Sequence, residues 1–335
     1  MAKHRRDEYQ YPCAVIRGNE RTLLGKADMN KIAEAPDVQA AMNILADFGY
    51  GDGKPLENPR DFEKALREEQ KRFVDLVLSV VLEKEELEFL QYPADYHNVK
   101  VILKSEILEI SPDAYLTAGG TVESDKLAYM IQARDYMFME PRIKEAMEEA
   151  VEGYAKNKDP QEIDIILDKA CYRDMLKAAE AGGNDFVIGY VKLLIDILNI
   201  LTFARLRKIK KSETFLRKVL LEGGKIDLKT FVDSYNDTYQ VLGEKLDIYG
   251  FKEIMELGAA TVEETGKYSL LEKLCDDAKV RYIQGAKFVT TGLEPIAAFY
   301  IAKENEIKNL RMVLTGKLAG TAEETIKERL RETYV

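Results

Sequence analysis

Residues 186–204 read FVIGYVKLLIDILNILTFA, an apolar run that carries Asp196 and Asn199 three positions apart. On an α-helix, positions i and i+3 share a face, so this acid and this amide are predicted to lie side by side. The same spacing of an acid and an asparagine occurs twice more, at Asp95–Asn98 and at Glu306–Asn309. The three asparagines are 101 and 110 residues apart, which predicts three similar structural units.

A second set of acidic residues has the same repeat. Glu63, Asp164 and Glu272 each stand near the start of a predicted long helix, and they precede the three asparagines by 35, 35 and 37 residues. Two markers at nearly constant spacing in three places predict helical domains over residues 1–115, 116–222 and 223–335.

The composition fits a helical protein with a sizeable core. The chain has 335 residues, of which 46% are apolar and 32% charged, and no segment shows sustained alternation of apolar and polar residues. No proline occurs between Pro160 and Pro295, although proline inside a helix costs roughly 3 kcal/mol. The predicted fold class is therefore all-α.

The charge balance and the cysteines exclude some classes of function. The formal net charge of −10 argues against nonspecific binding to nucleic acid, which requires clustered cations. The three cysteines are few and widely separated, which favours a reducing cytoplasm over a disulfide framework. The N-terminus is basic, but no apolar stretch of signal-peptide length follows it, so export by that route is not expected.

The apolar run at 186–204 is long enough to cross a membrane. However, Lys192, Asp196 and Asn199 occupy its central half, and a Lys or Asp at the middle of a spanning helix costs roughly 2.5–3.5 kcal/mol each. We therefore expect a buried helix of a soluble domain and no membrane span.

Several local features are predicted before the first repeated motif. Residues 9–24 read as one helix that ends at Gly25, Asp28 is the predicted N-cap of the second helix, and Pro36–Val38 begins a third. Residues 49–59, rich in glycine and proline, are predicted to form a surface loop.

The acid-and-asparagine motif has two possible meanings. It is either a pair that hydrogen-bonds a neighbouring helix or loop, or a catalytic or ligand-binding pair. Three copies in three domains favour the structural interpretation, because a packing device is reused whenever a fold is repeated. His97 lies inside one copy, but Leu198 and Lys308 hold its place in the others, so no shared role depends on it.

Other signs of chemistry are weak. Asp276 and Asp277 resemble the start of an acidic metal-binding box, but Val280 stands where a third acid is needed, and a solvated helix face is expected. The sequence has only two histidines and contains no P-loop, GxGxxG, GxSxG or HExxH motif. We therefore predict no catalytic residue, no cofactor and no metal site.

The segment Arg205–Lys218 is basic in an otherwise acidic chain. Either it supplies favourable charge at a helix C-terminus together with a solvated face, or it is a docking patch for an acidic partner.

The chain resembles the C subunits, also called d subunits, of the V/A-type rotary ATPases. The matching stretches are Tyr11–Tyr50, Tyr96–Lys100, Asp196–Asn199 and Pro295–Arg311, of which the last is the most specific. The resemblance covers essentially the whole chain, and it is least close at residues 49–59 and 118–142.

This resemblance implies three similar helical domains in a pseudo-threefold funnel. It also implies a peripheral protein on the cytoplasmic face of the membrane that links the central shaft to the membrane rotor ring, transmits torque and has no active site. Two other classes stay open: a helical-repeat scaffold of another cytoplasmic complex and, as a weaker rival, a metal-dependent helical enzyme.

Overall fold

The structure of the protein is a computed structural model that describes residues 5–54 and 58–335. Within these ranges the chain forms α-helices, a π-helix and short 3₁₀ turns, and it has no β-strand. The all-α prediction is confirmed. The α-helices are α1 Gln10–Asn19, α2 Lys26–Glu34, α3 Val38–Asp47, α4 Phe62–Val80, α5 Tyr92–Leu108, α6 Ser124–Gln132, α7 Pro141–Asn157, α8 Gln161–Gly182, α9 Asp185–Lys208, α10 Glu213–Val219, α11 Leu228–Asp233, α12 Tyr239–Leu246, α13 Ala260–Thr265, α14 Ser269–Gln284, α15 Leu293–Leu318 and α16 Glu323–Glu328, and the π-helix is Ile254–Ala259.

The described chain divides into two compact units, each built from separate stretches of sequence. The first compact unit comprises residues 83–199 and 214–228, and the second comprises residues 5–54, 58–82, 200–213 and 229–335. The predicted division into three domains groups residues by sequence repeat and not by contact, and it stays a prediction.

In the first compact unit, α5 packs against α6, α7 and α8, and α7 packs along α8. Pro141 lies in the first turn of α7, where its missing N–H costs no hydrogen bond, and the left-handed Lys158 ends the helix. α7 approaches α8 closely at Gly153, because a Cβ atom there would stand 2.6 Å from the side chain of Ile166. The absence of a side chain at Gly153 therefore sets how near the two helices can lie.

The second compact unit has α15 at its centre, where the helix packs against α1, α4 and α14. Residues 293–303 of α15 are all buried. Phe73 of α4 meets Tyr300 of α15 edge to face, with ring centroids 5.2 Å apart. Burial of such large apolar side chains contributes roughly 1.5–3 kcal/mol each, which explains why so apolar a helix lies at the centre.

Helix α9 contains the apolar run of residues 186–204. Its residues up to Asn199 belong to the first compact unit and those from Ile200 belong to the second. Among the described helices, α9 is long and apolar enough to cross a membrane by length and composition, and half of its most apolar window is buried within the protein. Asp196 and Asn199 are both 1% exposed, as expected for a core helix that carries polar groups with partners.

The structure confirms some helix boundaries and corrects others. The predicted helix over residues 9–24 is shorter, because α1 ends at Asn19 and a 3₁₀ turn follows. Asp28 is not an N-cap. It is the third residue of α2, and its carboxylate accepts the Gly25 N–H at 3.0 Å. By contrast, Asp37 caps α3, which begins where its sequence predicts, since the Asp37 side chain accepts the Ala40 N–H at 2.8 Å.

The glycine-rich tract at residues 49–59 is only partly a surface loop. A 3₁₀ turn over Tyr50–Gly53 includes the left-handed residues Gly51 and Asp52, and Tyr50 is buried. Residues 55–57 lie outside the described part of the chain, so the prediction for them is untested.

Candidate functional site

The first acid-and-asparagine motif lies on α5 and holds the loop that follows this helix. The amide of Asn98 pairs with the backbone of Thr117 in both directions, since it accepts the N–H and donates to the carbonyl, each at 2.9 Å. Asp95 accepts hydrogen bonds from the Thr121 hydroxyl at 2.6 Å and from the Val122 N–H at 3.2 Å. The two side chains therefore fix the loop to the helix through hydrogen bonds much like those between backbone groups.

Asp95 has further partners. Nη2 of Arg142 at the start of α7 lies 2.7 Å from its carboxylate, and the guanidinium of Arg142 stacks 3.6 Å from the ring centroid of Tyr92. Gly120 leaves the space that the carboxylate occupies, because a Cβ there would stand 2.3 Å from Oδ1 of Asp95. This carboxylate is fully buried and has three partner residues, Thr121, Val122 and Arg142.

The second motif, on α9, repeats this arrangement. Asn199 pairs with the backbone N–H and carbonyl of Leu221, both at 2.8 Å. Asp196 accepts the N–H groups of Lys225 and Ile226 at 2.9 and 3.1 Å, and Gly224 again leaves space for the carboxylate. Burial raises the pKa of Asp196, and the two backbone N–H groups partly oppose that rise.

In the third motif, on α15, the asparagine again binds a loop backbone, but the acid has different partners. Asn309 pairs with the backbone of Arg331, whose N–H it accepts at 3.0 Å and to whose carbonyl it donates at 3.3 Å. Glu306, however, accepts the N–H of Leu24 at 2.6 Å and the hydroxyl of Tyr50 at 2.6 Å. The acid of the third motif thus holds residues that lie more than 250 positions earlier in the chain.

An ion network surrounds Glu306. Nζ of Lys303 lies 2.8 Å from Glu306 and 2.7 Å from Glu69, and all three groups are almost entirely buried. Burial alone would lower the pKa of Lys303, but the two carboxylates raise it above its ordinary value. Burial first and Glu306 second raise the pKa of Tyr50 well above its usual range, so this phenol donates a hydrogen bond and does not ionise.

The asparagines have the same role in all three motifs, whereas the acid of the third motif binds more distant residues. Each asparagine is a two-way bridge to a loop backbone, and each acid accepts backbone N–H or side-chain donors from another segment. These are the hydrogen bonds that the structural interpretation of the motif predicts. The sequence indicated where the motifs lie but not which residues they bind, and the glycines at positions 120 and 224 mark those partners only in retrospect.

The prediction for Asp276 and Asp277 was wrong. They do not form a solvated face, because both are buried, at 3% and 4% exposure. Asp276 binds Nζ of Lys279 and Nζ of Lys308, each at 2.6 Å, and Asp277 accepts the N–H of Glu332 at 2.6 Å. Two of these partners come from α15 and from the segment after α16, which a local sequence pattern cannot reveal.

The electrostatics of the two aspartates differ. Burial would raise the pKa of Asp276, but Lys279 and Lys308 outweigh it and lower the pKa to about 2. Arg331 adds a third cation at 3.1 Å. The close partner of Asp277 is a backbone N–H, and burial raises the pKa of this carboxyl. Asp276 is therefore the acid of an ion cluster with Lys279, Lys308 and Arg331.

His97 and the basic segment show local structural partners. His97 is exposed, and its Nε2 lies 3.2 Å from the carbonyl of Tyr115. In the second compact unit, Nη1 of Arg207 donates to the carbonyl of Asp237 at 2.6 Å, and Lys208 donates to the carbonyl of Glu263 at 2.9 Å. In the first compact unit, Lys218 pairs with Glu162. Much of the positive charge near the end of α9 therefore serves contacts inside the protein.

A depression of about 670 Å³ lies on the second compact unit. Its charged lining residues are largely engaged with one another or with neighbours: Arg331 binds Asp276, Lys327 binds Glu34, and Lys273 donates to the carbonyl of Glu328. Across the described residues, no group of three or more His, Cys, Asp or Glu side chains is placed to hold a metal ion.

The chain belongs to the family described as ATP synthase (C/AC39) subunit, whose model matches residues 12–329. This places it among the subunits of membrane-associated, ion-transporting V-type and A-type ATPases and ATP synthases. The resemblance found in the sequence is confirmed.

Individual relatives are C subunits of V-type or A-type complexes, and the match covers most of each protein. The chain is 25% identical to the C subunit of the V-type sodium ATPase of Enterococcus hirae, over 98% of its own length and 99% of that protein. It is 24% identical to the C subunit of the A-type ATP synthase of Pyrococcus abyssi, over 97% of this chain and 90% of the relative. It is 22% identical to the corresponding protein of Methanocaldococcus jannaschii, over 96% and 86%.

Proposed function

We propose that this protein is a non-catalytic central-stalk subunit of a V/A-type rotary ATPase. It links the central shaft to the membrane rotor ring and transmits torque for ATP-driven ion transport or for ATP synthesis. The observation that carries the proposal is the family match over residues 12–329. A coupling element must resist twisting, and the three buried motifs support this role because each fixes a loop rigidly to a long helix.

The absence of a catalytic role is part of the proposal. A catalytic acid needs an accessible face and a partner that it can exchange for substrate. Asp95, Asp196 and Glu306 are instead buried and bound to donors inside the protein. These contacts support a mechanical role for the most notable polar groups of the chain.

We further propose three similar helical domains in a pseudo-threefold funnel. In the first two motifs the acid holds the loop that leads into the next repeat, as Asp196 does with Lys225 and Ile226. In the third motif Glu306 holds Leu24, and a Cβ at the neighbouring Gly25 would stand 3.7 Å from the carbonyl oxygen of Val335. The end of the last repeat is thus joined to the start of the first, which supports a closed arrangement over an open solenoid.

The proposed location is the cytoplasmic face of the membrane, without a direct membrane span. The partners are the central-shaft subunits and the rotor ring, and not nucleic acid. Among the described helices, α9 is the one both long and apolar enough to cross a membrane, and its central Asp196 and Asn199 are bound to a loop of the first compact unit. A lipid-exposed helix could not keep those contacts, which supports the peripheral location.

The test is a reconstitution of the rotary complex with and without this chain. In membrane vesicles that hold the complex, omission of the chain should abolish ATP-driven ion transport while ATP hydrolysis by the catalytic head continues. Addition of the purified chain should restore transport, and the purified chain alone should hydrolyse no ATP. Full coupling in its absence, or failure to bind both shaft and ring, would favour the helical-repeat scaffold instead.

A further inference from the structure

Two adjoining depressions lie on the second compact unit, along the π-helix. One, of about 530 Å³, lies between the start of α12 and α13, and the other, of about 380 Å³, lies beside the turn that follows α12. Glu256 of the π-helix lines both. We call the two depressions together the π-helix groove.

The π-helix groove is acidic. The acidic lining side chains outnumber the basic ones, since Arg207 and Lys252 are the lining cations, whereas the acids are Asp237, Asp247, Glu253, Glu256, Glu263 and Glu264. Both cations are already bound within the protein. Arg207 lies against Glu263 and over the ring of Tyr239, and Lys252 binds Glu244 at 2.6 Å. Some of the acids are paired as well, since Asp237 binds Lys245 at 2.8 Å and Glu253 lies 3.8 Å from Arg281. The six lining acids still outnumber Arg207, Lys252, Lys245 and Arg281, so the groove has a modest excess of negative charge.

Apolar side chains are exposed in the same place. Leu257 of the π-helix is 52% exposed and lines the second depression. Ile248 is 83% exposed in the turn between Asp247 and Gly250, two residues that line the same depression. Exposed apolar groups surrounded by charged residues are typical of protein interaction surfaces.

The π-helix packs against α12 and α14. A Cβ atom at Gly243 of α12 would stand 3.0 Å from Cγ of Glu256, and one at Gly258 would stand 3.0 Å from Cα of Leu271 in α14. The π-helix is thus packed closely against both neighbouring helices, while the side chains of Glu256 and Leu257 line the groove. Single π-helical turns occur frequently at functional sites.

We propose that the π-helix groove binds a basic, amphipathic helix of the central shaft. This inference rests on the proposed function and specifies which surface meets the shaft. The acids would attract lysine and arginine side chains, and Ile248 and Leu257 would contact the apolar face of the same helix. The rotor ring is a poorer occupant, because it lies next to the anionic cytoplasmic leaflet, which repels an acidic surface.

The test measures binding of purified central-shaft subunits to the purified full chain by titration calorimetry. Leu257→Ser and Ile248→Ser should each weaken binding by about tenfold, because each removes an apolar anchor. Phe288→Ser is the matched control: Phe288 is 91% exposed on the same compact unit but lines neither depression. The control should bind as the wild type does, and all variants should keep the wild-type melting temperature.

A double charge reversal separates the electrostatic contribution. Glu253→Lys combined with Glu256→Lys should weaken binding strongly at low salt and much less at high salt, so that the affinity becomes less dependent on salt. Unchanged affinity and salt dependence in this variant and in both serine variants would overturn the inference.

The outcomes distinguish a failure of the inference from a failure of the function on which it rests. If the wild type binds neither the shaft nor the purified rotor ring, the proposed function fails. If the wild type binds the shaft and the groove variants bind it equally well, only the inference fails. If the groove variants lose affinity for the ring and keep it for the shaft, the groove faces the ring, and the inference is wrong.

Discussion

The motif on α9 and the motif on α15 have the same spacing, but their acids bind different partners: one binds a nearby loop and the other binds distant residues. Asp196 and Asn199 bind residues 221–226, which follow soon after them in sequence, through backbone groups of that segment. Glu306 binds Leu24 and Tyr50, and it has Lys303 as a counter-ion. In the middle repeat, the acid can thus bind the linker that follows it. In the last repeat, the acid instead binds residues far away in the sequence.

This difference has an energetic consequence. When the acid binds a nearby linker, little conformational entropy is lost in closing the loop, and no buried cation is needed. The middle motif therefore forms at a small cost in free energy. Closure between distant segments places buried donors from Leu24 and Tyr50 on the single carboxylate of Glu306, and a buried donor left without an acceptor costs roughly 1–3 kcal/mol. The C-terminal motif should therefore be the more sensitive of the two to the loss of its acid.

The largest effect is expected from Glu306→Ala. The variant leaves Lys303 with Glu69 and removes the acceptor of the Leu24 N–H and the Tyr50 hydroxyl. We expect a loss of about 3–5 kcal/mol in the free energy of unfolding, measured by urea denaturation, because two buried donors lose their acceptor while Lys303 keeps Glu69 as its counter-ion. Glu63→Ala is the control, because its ion pair with Arg311 is partly exposed and should contribute about 1 kcal/mol or less. Equal losses in the two variants would contradict this ranking.

A second prediction compares the two asparagines. Asn199→Leu leaves the buried N–H and carbonyl of Leu221 without these partners, and we expect a loss of about 2–4 kcal/mol in the free energy of unfolding. Asn309→Leu should lose about 1–2 kcal/mol, because the bonds to Arg331 are only partly buried and water can replace them. Urea denaturation of the two variants measures the difference.

The control for both asparagine variants is Asn305→Leu, which removes one exposed bond to the carbonyl of Glu332. Its expected loss is about 0.5 kcal/mol. Asn199→Leu should affect coupling in the rotary complex only through lost rigidity. If that variant keeps full stability yet fails to couple, the structural interpretation of the motif is wrong.

A third prediction tests the space that Gly224 leaves beside Asp196, with Gly25, whose Cβ would lie nearest to Asp28, as the control. A Cβ at Gly224 would stand 2.1 Å from Oδ1 of Asp196, so Gly224→Ala must displace the carboxylate from its backbone donors. We expect a loss of about 2–3 kcal/mol. At Gly25 the nearest atom to a Cβ is 3.6 Å away, and Gly25→Ala should lose less than about 1 kcal/mol, mainly through poorer capping of α2. Thermal melting of the two variants side by side measures the difference.

The helical class and the repeated motifs could be predicted from the sequence because both depend on spacing along the chain. Helix periodicity, the scarcity of proline and the recurrence of an acid three residues before an asparagine are all local patterns. The same reasoning failed at Asp276, whose cationic partners Lys308 and Arg331 are distant in sequence. It also could not find that Glu306 binds Leu24, a contact between residues 282 positions apart. Pairings of this kind are set by tertiary packing, which one sequence does not display.

The last prediction concerns pH and again sets the two motifs apart. Asp276, in the ion cluster beside the C-terminal motif, has a pKa of about 2, below its ordinary value of 3.8. A lowered pKa in the folded state means that the group stabilises the protein above pH ~4 and that this contribution is lost as the pH falls from about 4 to 2. Its size is about 2 kcal/mol. Asp196, whose pKa is raised, has the opposite sign: its contribution is present at low pH and is lost as the pH rises through its folded pKa.

Urea denaturation at a series of pH values between about 2 and 6 separates these two contributions. In Asp276→Asn, the free energy of unfolding should fall less steeply between about pH 4 and 2, because the titrating group is gone. Asp196→Asn should keep the loss of stability below about pH 4 and should remove the loss of stability that Asp196 causes as the pH rises. If Asp276→Asn instead retains the full acid dependence of the wild type, the cluster around Asp276 does not stabilise the C-terminal closure. The ion-based closure would then be no more pH-sensitive than the backbone-based one.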